Sequence, residues 1–381
     1  MKKKIGFAGA GFACAVLARE LVSSGNFSAT VFETRDHVAG NCHTSRDKGI
    51  MVHHFGPHIF NTSRKDVWDY VNSYEEFRTF TNRVKAVTSK GVFSLPINLL
   101  TINQFFNKKL NPAEAELFIK DLGDKSIIDP QSFEEQALSM LGSELYEAFF
   151  YGYTKKQWGV EPSELPASIL KRLPIRFNYD DNYYQQLYQG IPVNGYTRLV
   201  ENILDHPDIN IVKNTKLTRE TIKEFDHVFY SGTIDEFFDY SEGELAYRTL
   251  KFERFEHTGD FQGNPVINYC EESVPYTRIS EHKHFAPWET HQESICFKEY
   301  SLLATRSDNP YYPLRLKEDK EVLSKYIALA TQTPSLTFIG RLGTYRYLDM
   351  HVVIGESLDL AKRCLSEPSD LWPAFSVDPL S

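Results

Sequence analysis

The chain has 381 residues, with 42 lysines and arginines against 51 acids and a formal net charge of −9. That balance argues against a general nucleic-acid surface but leaves room for a local anion site, and the length allows two or three structural units. Five cysteines (14, 42, 270, 296 and 364) are scattered, odd in number and without C-x-x-C spacing, which fits a reducing compartment better than a disulfide framework or a thiolate zinc site.

Residues 4–12 read KIGFAGAGF: a short apolar run, Gly9-Ala10-Gly11, then a helical pattern through Val22. A second apolar run at 29–32 ends in Glu33. Strand, glycine turn, helix and strand closing on an acid is the unit that holds an adenine dinucleotide. Gly9 and Gly11 would bring backbone N–H groups to a pyrophosphate at a helix N-terminus, and Glu33 would accept from the ribose. The third glycine position of this fingerprint is Cys14, so helix and strand must pack around a small side chain. The opening MKKK and its apolar sequel resemble a signal peptide. Cleavage would delete the start of this βαβ unit, so a cytoplasmic protein is expected. No stretch reaches the ~20 apolar residues that span a bilayer.

Beyond Glu33, Gly40-Asn41 marks a turn, 49–54 a short strand and 66–71 a helix. His53, His54 and His58 lack a metal-binding helix spacing and read as cofactor-contacting or packed histidines. Residues 84–87 and 91–95 form a hairpin ended by Pro96. From 101 to about 173 the pattern is helical, with starts at Asn111-Pro112 and at Ser132 with Glu135. The segment YGYTKKQWGVEPSEL breaks that pattern, and a further helix starts at Ala167. A turn and helix follow at 190–200, then strands at 210–212 and 227–230. Further strands are expected at 245–255, 266–269 and 294–297. A last strand at 336–339, Gly340, Gly343 and a helix over 350–360 return to the first domain, enclosing the cofactor by non-consecutive pieces, as suits a flavin.

Aromatics are plentiful, with 27 Phe, 21 Tyr and 4 Trp, and they gather in patches. Phe149, Phe150, Tyr151 and Tyr153 with Trp158 suggest a recognition loop; Arg172 and Arg176 sit among Tyr179, Tyr183, Tyr184 and Tyr188. Arg278 follows Tyr276, and Tyr311-Tyr312 precedes GRLGTYRYLD at 340–349. Arginines in such company can converge on a diphosphate, which their planar forks bind bidentately. Neither G-x-S-x-G nor a P-loop occurs, so serine acyl transfer and ordinary ATP hydrolysis are not expected. The residues alone point to a flavoprotein acting on an anionic, nucleotide-linked substrate.

Over nearly its whole length the sequence resembles bacterial UDP-galactopyranose mutases. The matching segments are GAGF, VAGN, FGPHIF, FFYGYTKKQWG, LKRLPIRFNYDDNYY, QGIPVNGYTRL, GRLGTYRYLDM and VIGESL. The resemblance implies an α/β fold: an FAD-binding Rossmann-like domain built from discontinuous segments, an inserted helical lobe and a mixed or antiparallel β-sheet domain. The FAD domain is expected over 1–80, 201–240 and 322–381. The helical insert is expected over 98–185, and the sheet domain over 81–97, 186–200 and 241–321. The resemblance further implies a homodimer without nucleic-acid or integral membrane partners, dependent on a cellular reductant. Its reaction would interconvert UDP-galactopyranose and UDP-galactofuranose, N5 of reduced FAD carrying the sugar as a covalent adduct while UDP departs and returns.

Carried over by likeness, Arg172 and Arg278 would be the catalytic arginines that clamp the diphosphate, Arg172 on a mobile lid reaching to about Tyr184. Phe149, Phe150 and Tyr153 would hold uracil, with Trp158 beneath the sugar. Tyr183, Asn268, Tyr312, Tyr347, Asn82 and Asn61 would complete the substrate site. Gly9, Gly11, Phe12, Glu33, Arg35, Asn41, His58, Arg341, Asp349 and Met350 would hold FAD; no metal is expected. Asn61 stands where the family usually has histidine, which raises a related sugar as an alternative: dTDP-fucopyranose or UDP-N-acetylgalactosamine. A flavin amine oxidase and a non-catalytic nucleotide-sugar-binding flavoprotein are the rival classes.

Overall fold

The computed structural model describes residues 1–167 and 175–380. Strand β1 (Lys3–Ala8), helix α1 (Phe12–Ser23) and strand β2 (Phe27–Phe32) form where the glycine fingerprint placed them. They belong to a five-stranded sheet ordered Ile209–Val212, β2, β1, His227–Tyr230, Leu336–Phe338, with every pair parallel. Alternate side chains of β1 face opposite layers: Ile5 and Phe7 enter one apolar core with α1 and the Met350–Ser366 helix, whereas Ala8 enters another with Leu323 and Tyr326. Helices on both faces of a parallel sheet give the doubly wound arrangement, whose ligands bind at the carboxyl ends of the strands.

The second layer is a seven-stranded sheet ordered Tyr312–Pro313, Tyr247–Thr258, Glu293–Leu303, Arg278–Glu281, Val266–Tyr269, Val84–Thr88, Gly91–Leu95. It is antiparallel except where Val266–Tyr269 runs parallel to Val84–Thr88, so the sheet is mixed. The third unit is helical. Asn111 and Ser132 cap Pro112–Leu122 and Phe133–Leu141 through reciprocal boxes with Glu114 and Glu135, as their spacing predicts. Ala115, Ile119, Ala137, Leu141, Phe149 and Phe150 form its core.

Three expectations need correction. YGYTKKQWG does not break the helix or form a loop: Tyr146–Tyr151 is a π turn that continues into a helix over Gly152–Trp158. Gly152 is tolerated because a Cβ there would lie 2.4 Å from the Cys270 carbonyl oxygen, so close packing demands its absence. Residues 190–200 do not begin as a turn, since Tyr188–Pro192 is a strand between Phe60–Thr62 and Phe77–Thr79. That strand lies outside the seven-stranded sheet, and the following helix, Gly195–Leu204, buries Tyr196 and Leu199 in the α1 core. The stretch 186–200 therefore sits with the dinucleotide fold rather than with the sheet domain. Among the described residues, no helix is long and apolar enough to cross a membrane.

Candidate active site

At the carboxyl ends of β1 and β2 lies a cavity of about 320 Å³. Its walls include Gly9, Gly11, Phe12, Glu33, Arg35, Asn41, His58, Arg341 and Met350. Gly9 has φ +105°, and a Cβ there would lie 2.4 Å from Ser231 Oγ; a Cβ on Gly11 would project into open space. The first turn of α1 thus offers unpaired N–H groups toward the cavity, the arrangement that receives a pyrophosphate. Glu33 is buried; its Oε2 accepts the Ala10 N–H at 2.9 Å and its Oε1 the Arg35 N–H at 3.0 Å. Cys14 fits beneath, its Sγ donating to the Ala8 carbonyl at 3.4 Å, and burial pushes its thiol up to about 12.

Arg35 Nη2 donates to Asn41 Oδ1 at 2.9 Å and to Asn309, while its buried Nη1 has no partner among the described residues. An open glycine cradle, a helix N-terminus and an orphaned guanidinium nitrogen fit an adenine dinucleotide. His58 donates from Nδ1 to the Gly56 carbonyl at 2.7 Å. Burial, aided by Arg341, lowers its pKa to about 4, so a neutral imidazole faces the cavity. The three neighbouring histidines do not converge: His53 packs on Phe285, and His54 Nε2 meets Ser45 Oγ at 2.6 Å. Asp349 precedes the Met350–Ser366 helix as its N-cap and does not itself line the cavity, although Met350 and Val353 do.

A second, more enclosed cavity of about 100 Å³ lies between the helical unit and the mixed sheet. Phe149, Phe150, Tyr153, Trp158, Tyr183 and Asn268 line it, bringing together residues far apart in sequence. Phe149 also packs edge-on against Phe93 at 5.4 Å, so that ring serves the core as well as the wall. Arg278 stands across from Asn268, its partner in the strand register. Its Nε donates to buried Glu299 at 2.8 Å, which leaves both Nη groups outside that pair. Burial opposes the Arg278 charge, but Glu299 raises its pKa well above the ordinary value and keeps the guanidinium positive. Burial raises the Tyr153, Tyr183 and Tyr312 phenols, each of which feels Arg278, so all three stay protonated donors at neutral pH.

A row of packed rings lies between the two cavities. Arg341, on the wall of the first, lies 5.1 Å from the Tyr312 ring and 5.5 Å from Tyr347; Tyr347 lies 6.4 Å from Trp158, on the wall of the second. Arg172 lies outside the described residues, as does the start of the expected lid; its remainder, 175–184, is described. Arg176, which sequence left as an equal candidate for a diphosphate, is buried and turns its Nη1 onto Asp180 and the Asn182 carbonyl, while its buried Nη2 has no partner among the described residues. Asn61 and Asn82 are buried but line neither cavity; Asn61 Nδ2 turns back to the Ile59 carbonyl at 3.2 Å. Sequence reasoning passed over Ser231 and Asn309 in the first cavity, and Leu95-Pro96-Ile97, Phe133 and Thr154 in the second. Ser231-Gly232 at the end of an apolar strand was a usable signal; nothing local marks the others.

The family model for UDP-galactopyranose mutase matches residues 148–347, and one for an NAD(P)-binding Rossmann-like domain matches residues 8–74. A probable UDP-galactopyranose mutase of Klebsiella pneumoniae is 53% identical over 379 residues, 98% of each chain. A dTDP-fucopyranose mutase of Escherichia coli is 50% identical, spanning 94% of this chain and 97% of that one. In fold, the chain is similar to a reduced UDP-galactopyranose mutase crystal structure, with TM-score 0.75 at 13% identity over 100% of this chain and 97% of that one. Putrescine oxidase bound to putrescine shares the fold more distantly, with TM-score 0.59 at 11% identity over 96% of this chain and 100% of that one.

Proposed function

The chain belongs to the UDP-galactopyranose mutase family, and from that membership we propose that it is a flavin-dependent isomerase interconverting pyranose and furanose forms of UDP-galactose. The observation that carries this reading is the row of contacting side chains, Arg341, Tyr312 and Tyr347, that runs from the wall of the dinucleotide cavity to Trp158 on the wall of the aromatic cavity. Two cavities so placed suit a nucleotide sugar laid with its base among aromatics and its sugar toward the cofactor. Bound in reduced form, FAD supplies a nucleophilic ring nitrogen and keeps its electrons overall, since the product is an isomer of the substrate.

The chain's own residues bind and orient. Phe149, Phe150 and Tyr153 bracket the base, and Trp158 lies beneath the sugar. Arg278, kept charged by Glu299, neutralises the diphosphate as it departs and retains it for return, with Tyr312 and Tyr347 as hydroxyl donors. Arg172 is the second diphosphate clamp, and Tyr183 and Asn268 close the site. Gly9, Gly11, Phe12, Glu33, Arg35, Asn41, His58, Arg341, Asp349 and Met350 hold the cofactor. Neutral His58 offers an uncharged edge there, leaving cationic stabilisation to Arg341. A homodimer working in the cytoplasm with a cellular reductant completes the reading.

A second substrate reading follows from the 50% identity to a dTDP-fucopyranose mutase: the same chemistry on a thymidine-linked 6-deoxysugar. Dithionite-reduced protein is incubated separately with UDP-galactose, UDP-N-acetylgalactosamine and dTDP-fucose, and ring forms are resolved by chromatography. Furanose from UDP-galactose is expected. Preference for dTDP-fucose moves the substrate and keeps the chemistry. Oxygen consumption with net substrate oxidation, or binding without isomerisation of any of the three, overturns the proposal.

A further inference from the structure

The hairpin that presents Asn268 and Arg278 is held from outside by one lysine. Asn268 and Arg278 are paired across Val266–Tyr269 and Arg278–Glu281, and residues 270–277 form the connecting turn. Into this turn reaches Lys156, from the Gly152–Trp158 helix. Its Nζ donates to the carbonyl oxygens of Glu271 at 2.7 Å, Tyr269 at 2.8 Å, Val274 at 2.8 Å and Tyr276 at 3.1 Å. One ammonium thereby draws together three turn carbonyls and the carbonyl that ends the first strand, one of its three N–H groups being shared between two acceptors. A tetrahedral head with three donors can meet acceptors arrayed around a point, whereas a planar guanidinium cannot.

Other contacts fix the same helix against the same turn. Gly152, one helical turn before Lys156, packs so tightly that a Cβ would lie 2.4 Å from the Cys270 carbonyl and 2.9 Å from the Glu272 nitrogen. Lys155 Nζ bridges Glu161 at 2.8 Å and Glu272 at 2.9 Å. At the helix C-terminus, buried Arg248 donates to the Gln157 carbonyl at 3.2 Å, and Ser301 Oγ donates to the same oxygen at 2.6 Å. The helix is therefore fastened to the mixed sheet at its end and to the hairpin along its flank. It carries Tyr153 and Trp158 on the aromatic cavity wall, to which the hairpin contributes Asn268.

We propose that Lys156 is a positioning residue for the nucleotide-sugar site, setting Asn268 and Arg278 in register with Tyr153 and Trp158 so that one ligand engages both elements. This rests on the function proposed above. Its effect passes through the hairpin, since Lys156 itself points into the turn.

The test is calorimetric titration of UDP and of dTDP into the holoenzyme and K156M, with flavin occupancy read by absorbance. K156M is expected to bind the preferred nucleotide about tenfold or more weakly at unchanged flavin occupancy. In a double-mutant cycle K156M and N268A should be non-additive, the second change costing less than about threefold once the first is made, whereas K156M and Y183F should add. A merely structural role weakens both cycles alike or lowers flavin occupancy in parallel, and either result overturns the proposal, as does K156M affinity within about twofold of wild type. If K156M does not fold, K156Q, which keeps two donors, carries the same cycles. Wild-type binding of neither nucleotide fails the function itself, whereas binding with additive cycles fails the Lys156 assignment alone.

Discussion

Replacing Arg278 by alanine should damage stability and turnover by separate amounts that can be measured apart. The Glu299 side chain is 2% exposed and that of Arg278 23%, with 2.8 Å between Oε2 and Nε. Removing the guanidinium strands a carboxylate whose Oε1 already has no partner among the described residues. Breaking such a pair costs about 3–5 kcal/mol, and partial exposure of Arg278 places the expectation near the lower end, about 3 kcal/mol. With 381 residues at about 2.1 cal/mol/K each, that lowers Tm by roughly 4 °C. Turnover should fall further than this implies, because a donor aimed at developing diphosphate charge contributes about 10²–10³ in kcat. The double variant R278L/E299L removes both charges from the interior, so its Tm should return to within about 1 °C of wild type while turnover stays low. Thermal unfolding followed by flavin release, with chromatographic assay of the isomerisation, reads both quantities. R278A turnover within about threefold of wild type, or recovery of activity in R278L/E299L, would refute the assignment.

Three further outcomes follow from the geometry. G9A forces a side chain into φ +105° and against Ser231 Oγ, so the purified variant should carry little flavin by absorbance; full occupancy would contradict the cradle. Glu281 is held down to about 2 despite burial by His284, Ser294 and the Phe261 and Gln262 N–H groups. Its stabilisation, roughly 3 kcal/mol from the shift, is present above the unfolded carboxyl pKa near 4.5 and is lost as pH falls toward about 2. Denaturant titrations should show E281Q less stable than wild type at pH 7, with the gap closing by about pH 2; a pH-independent gap would count against the linkage. S132A removes the hydroxyl that accepts the Glu135 N–H at 3.2 Å, and urea unfolding should show a loss of about 1 kcal/mol with m unchanged.

Local order was largely legible in the chain. KIGFAGAGF followed by a run ending in Glu33 specifies strand, turn and helix because positive φ, backbone approach and acid placement are properties of a few adjacent residues. The caps at Asn111 and Ser132 were readable for the same reason. So was the second glycine-bearing unit at Gly340, which brought the chain's end back to its beginning. The strand Arg278–Glu281 escaped notice because R-I-S-E carries a single apolar side chain, whereas the equally short Val266–Tyr269 stands out by its apolar and aromatic residues.

What distance along the chain cannot encode, packing decided. Arg176 and Arg278 look alike in sequence, each among tyrosines; only the fold turns Nη1 of the first onto its own loop and pairs the second with Asn268 across two strands. The glycine in FFYGY reads as a breaker until the Cys270 carbonyl is seen to press against it. Asn61 attracts interest as a departure from family pattern, yet its amide folds back onto Ile59. The sequence determined which backbone turns and faces exist, since those depend on neighbours; side-chain partners across the mixed sheet and helical unit depend on segments joined only when apolar surface is buried.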